Sequence, residues 1–147
     1  MAKALSVIQP HAELIRIGKK VIETRSWMTN YRGEIYIHAS KTAIPKAVRQ
    51  NAELLSLIGA RTLKELERGF IVAKANLVRC EYMTPIFVKA IKQYDPTEYT
   101  AGYYSEGRYA WFLEDIEPLD KPIQMKGHLW VWNFDIENAK GEKENEN

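Results

Sequence analysis

Lys20, Glu23 and Arg25 bring an ammonium, a carboxylate and a guanidinium together in the stretch GKKVIETRSW, residues 18–27. Two kinds of role fit such a trio. On a solvated strand, a Glu-Arg pair stiffens the surface and contributes little. In a cleft, a desolvated lysine beside a carboxylate can take or give a proton, and a guanidinium can hold a phosphate or a developing oxyanion. Lys20, Glu23 and Arg25 are therefore the candidate catalytic residues. With Gly18, whose missing side chain suits a tight turn, they head the candidate ligand-binding set.

The remaining binding candidates are chosen by what a nucleobase needs, a flat aromatic face and hydrogen-bonding groups at its edge. Stacking contributes on the order of 1–3 kcal/mol per base. Trp27 directly follows the charged segment, and Tyr31 and Arg32 lie in the turn after it. Tyr99, Tyr103, Tyr104 and Tyr109 populate a later tyrosine-rich loop, while Trp111, Trp130 and Trp132 fall in strand patterns where core packing is the expected use. His38 and Ser40, with Lys41, end a strand and are placed to rim a pocket. Gln9 ends the first strand, where an amide can read a base edge or cap a helix.

The elements that must position these groups are short. Residues 4–8 form an apolar strand that stops at Gln9-Pro10, and Pro10 suits the first position of a helix that closes at Gly18. Residues 21–26 alternate as a second strand, placing Glu23 and Arg25 on one face and Ile22 and Thr24 on the other. Lys20 sits at the strand's start, and alternation leaves its direction open. Residues 34–38 read as a third strand after the turn Asn30-Tyr31-Arg32-Gly33.

Beyond Pro45 the spacing of Val48, Ala52, Leu55 and Ile58 predicts one amphipathic helix ending at Gly59. Thr62 and Glu65 match a capping box for a shorter helix closed by Gly69. Strands follow at 70–78, 109–116 and 127–134, with a helical segment from Pro85 and a turn-rich stretch before residue 108. The pattern predicts an α+β fold: a small β-barrel of five to six mainly antiparallel strands with inserted helices. One domain over residues 1–136 and a polar, disordered tail over 137–147 complete the expected organisation.

Composition restricts the function classes. Lys and Arg total 21 against 19 Asp and Glu, so the chain carries no strong basic field of its own, although four glutamates in the tail mask a more basic body. Cys80 is the sole cysteine, which excludes an intramolecular disulfide, and no apolar run approaches a membrane span. A cytoplasmic protein is expected, with no membrane association. His11 and His128 have no partner at metal-ligand spacing, and neither C-x-x-C nor a glycine-rich phosphate loop occurs, so no metal and no cofactor are expected.

The order Gly18, Lys20, Glu23, Arg25 fills G-x-K-x-x-E-x-R, which resembles the signature of the ASCH (activating signal cointegrator homology) family, relatives of the PUA RNA-binding domain. LSVIQPHAELI, ETRSW, YRGEIYIHASK, RGFIVAKANLVRC, GRYAWFLEDIEPL and KGHLWVW resemble successive segments of that family, so the likeness spans about residues 4–134. It implies a PUA-like barrel whose motif residues gather in a cleft that meets RNA, a nucleotide or a modified nucleoside. One branch of the family hydrolyses N4-acetylcytidine with a lysine, a threonine three residues on and a later glutamate. Lys20 matches the first. Glu23 stands at the second position and Thr24 one residue beyond it, on the opposite strand face. Glu81, Glu98 and Glu106 are all open as the third.

The expected function is RNA or nucleotide binding through a Lys/Glu/Arg cleft, with action on a modified nucleobase as an extension. The alternatives are an amidohydrolase of the N4-acylcytidine type, a ribonuclease, or a protein-interaction module in transcription regulation. Whether the chain is an enzyme and how it oligomerises are left open by the residues.

Overall fold

The computed structural model describes the backbone of residues 1–145 and the side chains through Lys140. Six strands form one sheet: β1 (Ala2–Val7), β2 (Ile22–Arg25), β3 (Gly33–Ala39), β4 (Phe70–Tyr82), β5 (Tyr109–Gln124) and β6 (Val131–Phe134). Their spatial order is β2-β5-β4-β3-β1-β6. The β1–β3 pair is parallel, with Leu5 opposite Ile37, and the other pairings are antiparallel. The α+β class and the predominance of antiparallel pairing agree with the sequence reading.

The barrel does not. The sheet is open, with β2 and β6 as its two edges. Register shifts along β3–β4 and at three places along β4–β5 interrupt the ladder, the kind of irregularity that bends strands and increases local twist. The edges approach one another through side chains, without a backbone ladder between them. Trp27, just past β2, meets Trp130, just before β6, edge to face at 4.8 Å between centroids. The Arg25 Nη2 group donates to the Ser6 carbonyl on β1 at 2.7 Å.

Alternation on each strand divides the core in two. Leu5 and Val7 of β1, Ile35, Ile37 and Ala39 of β3, and Ala75 and Leu77 of β4 bury one face with Ala12 and Ile15 of helix α1 (His11–Arg16). Ala4, Tyr36, Trp132 and Phe134 bury the other. There they meet Ala139 of the last helix, Ile136–Asn145, which occupies most of the stretch expected to be a disordered tail; residues 146–147 of that stretch lie outside the described residues.

The helix predicted after Pro45 is broken into α2 (Lys46–Arg49), α3 (Ala52–Leu55) and a 3-10 turn at Ser56–Ile58. Asn51 causes the break: its side-chain oxygen accepts the Leu54 N–H at 3.0 Å and starts a new helix. The buried residues are consequently Leu54 and Ile58, packed with Leu14, Leu66 and Ala101. The Thr62–Glu65 capping box is present, on a 3-10 turn. The stretch before residue 108 contains α4 (Pro85–Tyr94) and α5 (Pro96–Thr100), opened by Thr84 and Asp95 caps. With the last helix designated α6, none of the helices among the described residues is long and apolar enough to cross a membrane.

Candidate functional site: a buried ion row ending in a cleft

The segment that links α1 to β2 begins at Gly18, where φ is +81° and glycine carries the turn without strain. Lys20 follows and turns fully inward, with no solvent exposure. Its Nζ donates to the Ile22 carbonyl at 2.7 Å and lies 3.5 Å from Glu23 Oε1. Glu23 Oε2 accepts from Arg25 Nε at 2.9 Å and pairs with Nη2 at 2.8 Å. The three charges form one row, Lys20–Glu23–Arg25, with the carboxylate at its centre. Glu23 and Arg25 share a strand face as alternation requires, opposite Trp111 and Tyr109 of β5.

Burial alone would raise the Glu23 pKa, but the charges of Arg25, Lys20 and His11 outweigh it and hold the carboxyl down to about 2. The His11 Nδ1–H donates to the Ala101 carbonyl at 3.1 Å, and burial, with the Lys20 charge next, lowers its pKa. That histidine, which the sequence offers as solitary, belongs to this group because α1 starts immediately after β1. Of the three open glutamates, Glu98 on α5 is the one beside Lys20. Its Oε1 accepts from the Val21 and Ile22 N–H groups, and burial raises its pKa against the pull of Lys20. Glu98 Oε2 and the Tyr104 hydroxyl are buried with no hydrogen-bond partner among the described residues. Gly102 presses on this group: a Cβ there would come within 3.2 Å of Lys20 Nζ and 2.8 Å of Tyr104 Cε2. Thr24 borders the same spot, its Cγ2 lying 3.2 Å from where that Cβ would be, while its Oγ1 accepts the Tyr103 N–H at 3.0 Å.

Arg25 is the outer end of the row and reaches a cleft of about 1290 Å³ beyond the ends of β1, β2 and β3. Trp27, His38, Ser40 and Lys41 line it together with the connection from β5 to β6, including Lys126, His128 and Trp130. Lys20 and Glu23 are behind this wall and do not line the cleft. His38 is held by two bonds. Its Nε2–H donates to the Met125 carbonyl at 2.7 Å, so Nδ1 accepts from Ser6 Oγ at 3.0 Å, and Ser6 Oγ in turn accepts the Trp132 Nε1–H at 3.1 Å. Desolvation lowers the His38 pKa.

The other candidates separate clearly. Gln9 is buried with both ends of its amide engaged, Nε2 on the Glu67 carbonyl at 2.8 Å and Oε1 on the Glu13 N–H at 2.9 Å. Tyr31 donates to the Glu34 carbonyl, and Arg32 Nη1 donates to the Thr29 and Tyr31 carbonyls at 2.8 Å each; neither lines the cleft. Trp111 and Trp132 are core residues as expected, but Trp130 is not: it precedes β6, is 60% exposed and has φ +64°. Among the described residues no cluster of three or more His, Cys, Asp or Glu side chains is arranged to hold a metal.

The family model for the ASCH domain matches residues 5–123. This chain belongs to the ASCH family. Activating signal cointegrator 1 of Homo sapiens is 24% identical over 143 residues, and the Mus musculus protein of that name 23% identical over the same length. Each alignment covers 95% of this chain but 23% of the longer relative. Among solved structures, ASCH from Zymomonas mobilis superposes with a TM-score of 0.58 at 14% identity, covering 97% of this chain and 94% of that one. A single-substitution variant of the Zymomonas protein superposes with a TM-score of 0.57 at the same identity, covering 97% and 96%. These structures share the ASCH fold with this chain.

Proposed function

We propose that this ASCH domain binds RNA or a nucleotide-like ligand in the cleft at the ends of β1, β2 and β3, with Arg25 as the group that meets phosphate or a base oxygen. ASCH domains are PUA-like and in general associated with RNA. The observation that carries the reading is the buried row: Glu23 and the Ser6 carbonyl fix the Arg25 guanidinium, whose side chain is 23% exposed, at the cleft wall. A guanidinium held in this way loses little freedom on binding an anion. Lys20 balances the Glu23 charge from behind, as a positioning residue. Trp27 supplies an aromatic surface, and His38 and Ser40 supply polar edges.

The deacylase alternative is the weaker reading. Lys20 is fully buried and bonded to a carbonyl, and Glu23 replaces the threonine of that reaction. The test is binding of labelled single-stranded RNA and of mononucleotides to the wild-type domain and to Arg25→Ala. Removal of one charge-assisted contact is expected to weaken binding roughly 10- to 100-fold. Equal affinity of Arg25→Ala and wild type for every such ligand refutes the assignment.

A further inference from the structure

The cleft that Arg25 reaches has features that the ion row does not explain. Among the described residues none that lines the cleft is acidic, while Arg25, Lys41 and Lys126 are all cationic, in a chain with nearly balanced charge. Lys41 lies across Gly69, where a Cβ would come within 2.5 Å of its Cε, so the absent side chain gives the lysine stem its track to the rim. Trp130 is held with φ +64°, a conformation rare for a bulky residue and associated with functional loops. Trp27 braces it edge to face, yet it stays 60% exposed, and its neighbour Leu129 is 82% exposed. A large aromatic braced from one side and open on another is suited to stacking.

Size selects the occupant. At about 1290 Å³ the cleft exceeds the roughly 300–1,000 Å³ that a single small ligand fills. Resting on the binding reading above, we propose that the occupant is a single-stranded RNA segment of several nucleotides, with one base stacked on Trp130 and neighbouring phosphates held by Lys41 and Lys126. A duplex keeps its bases stacked on each other and offers none to Trp130. A free nucleotide reaches only part of the cation set.

The test uses the full chain with a fluorescein-labelled single-stranded oligouridylate of about ten nucleotides, within the site sizes of such grooves. Its duplex with oligoadenylate, uridine monophosphate and a poly-glutamate peptide of matched charge serve as competitors. The single strand is expected to bind tightest and to quench tryptophan fluorescence. Trp130→Ala should weaken it roughly 5- to 100-fold. Lys41→Ala and Lys126→Ala should each lower the slope of log affinity against log salt by about 0.7. Wild-type binding weakened in Arg25→Ala but unchanged in Trp130→Ala and Lys126→Ala overturns this inference and leaves the binding reading standing. So does equal competition by uridine monophosphate, the duplex or poly-glutamate. A wild-type chain that binds neither polymer nor mononucleotide overturns both.

Discussion

Glu23→Gln isolates the electrostatic centre of the site. Glu23 is buried between two cations, and its carboxyl is held to about 2 where the ordinary value is 4.5. A depressed carboxyl contributes stability that is fully present above its unfolded value and disappears as the pH falls through the folded one. The window is therefore about pH 4.5 down to about 2, and the contribution lost across it is on the order of 3 kcal/mol. Glutamine cannot titrate. At pH 7, Glu23→Gln leaves Lys20 and Arg25 without their counter-charge, a change that costs roughly 3–5 kcal/mol for buried pairs. Urea unfolding of both proteins, followed by tryptophan fluorescence at steps from pH 7 to 2.5, measures the difference. Other carboxyls titrate alike in both chains, so they cancel in the difference where they do not touch Glu23. The gap is expected to be widest at neutral pH and to shrink through the acid window. A gap that stays constant from pH 7 to 2.5 refutes the claim that the ion row stabilises the ionised carboxylate.

Two further variants probe the neighbours of the row. Glu98 has the opposite sign to Glu23: burial raises its pKa, so its contribution is present below the ordinary value of 4.5 and is lost as the pH rises through the folded value, and Glu98→Gln, which keeps an acceptor for the Val21 and Ile22 N–H groups, should gain on wild type at a pH well above 4.5 relative to one below it. Chemical denaturation at both pH values checks this, and a gain independent of pH contradicts it. Ser6→Ala should lower stability by about 1–3 kcal/mol, because it leaves the buried Trp132 Nε1–H and His38 Nδ1 without the oxygen that links them. Thermal unfolding reads the loss, and an unchanged midpoint shows that the linkage contributes nothing.

What the sequence shows of this molecule follows the range of the forces involved. Strands β1, β2 and β3 are legible to within two residues because alternation, the glycine at 18 and the turn at 30–33 are local signals. The Thr62–Glu65 box is legible for the same reason. The break at Asn51 escapes periodicity, since Val48, Ala52, Leu55 and Ile58 fit one helix until the Asn51 cap is weighed against it. Barrel closure depends on whether β2 and β6 pair, a contact between residues about a hundred positions apart with no local mark. His11 and Glu98 join the ion row for a similarly distant reason, as parts of α1 and α5 folded against β2. Trp130 reads as a strand residue because aromatics favour strands; its positive φ makes it a loop residue instead.

The open sheet and the binding reading are connected. If β2 and β6 paired along their length, their backbone groups would fill the gap that now forms the cleft, and Arg25 would be sealed in with Lys20 and Glu23. Because β2 and β6 share no ladder, with Trp27 set against Trp130 and Arg25 reaching to the Ser6 carbonyl of β1, the row can be buried over most of its length and exposed at one end. Burial strengthens the Glu23–Arg25 pairing by excluding water, which would be wasted on a ligand if the whole row were covered and lost if it were all exposed. A guanidinium at the boundary satisfies both demands: Glu23 fixes its orientation from the dry side, and its 23% exposure presents charge to the wet side. The seam left by incomplete closure is thus where this fold can place a rigid cation against a ligand.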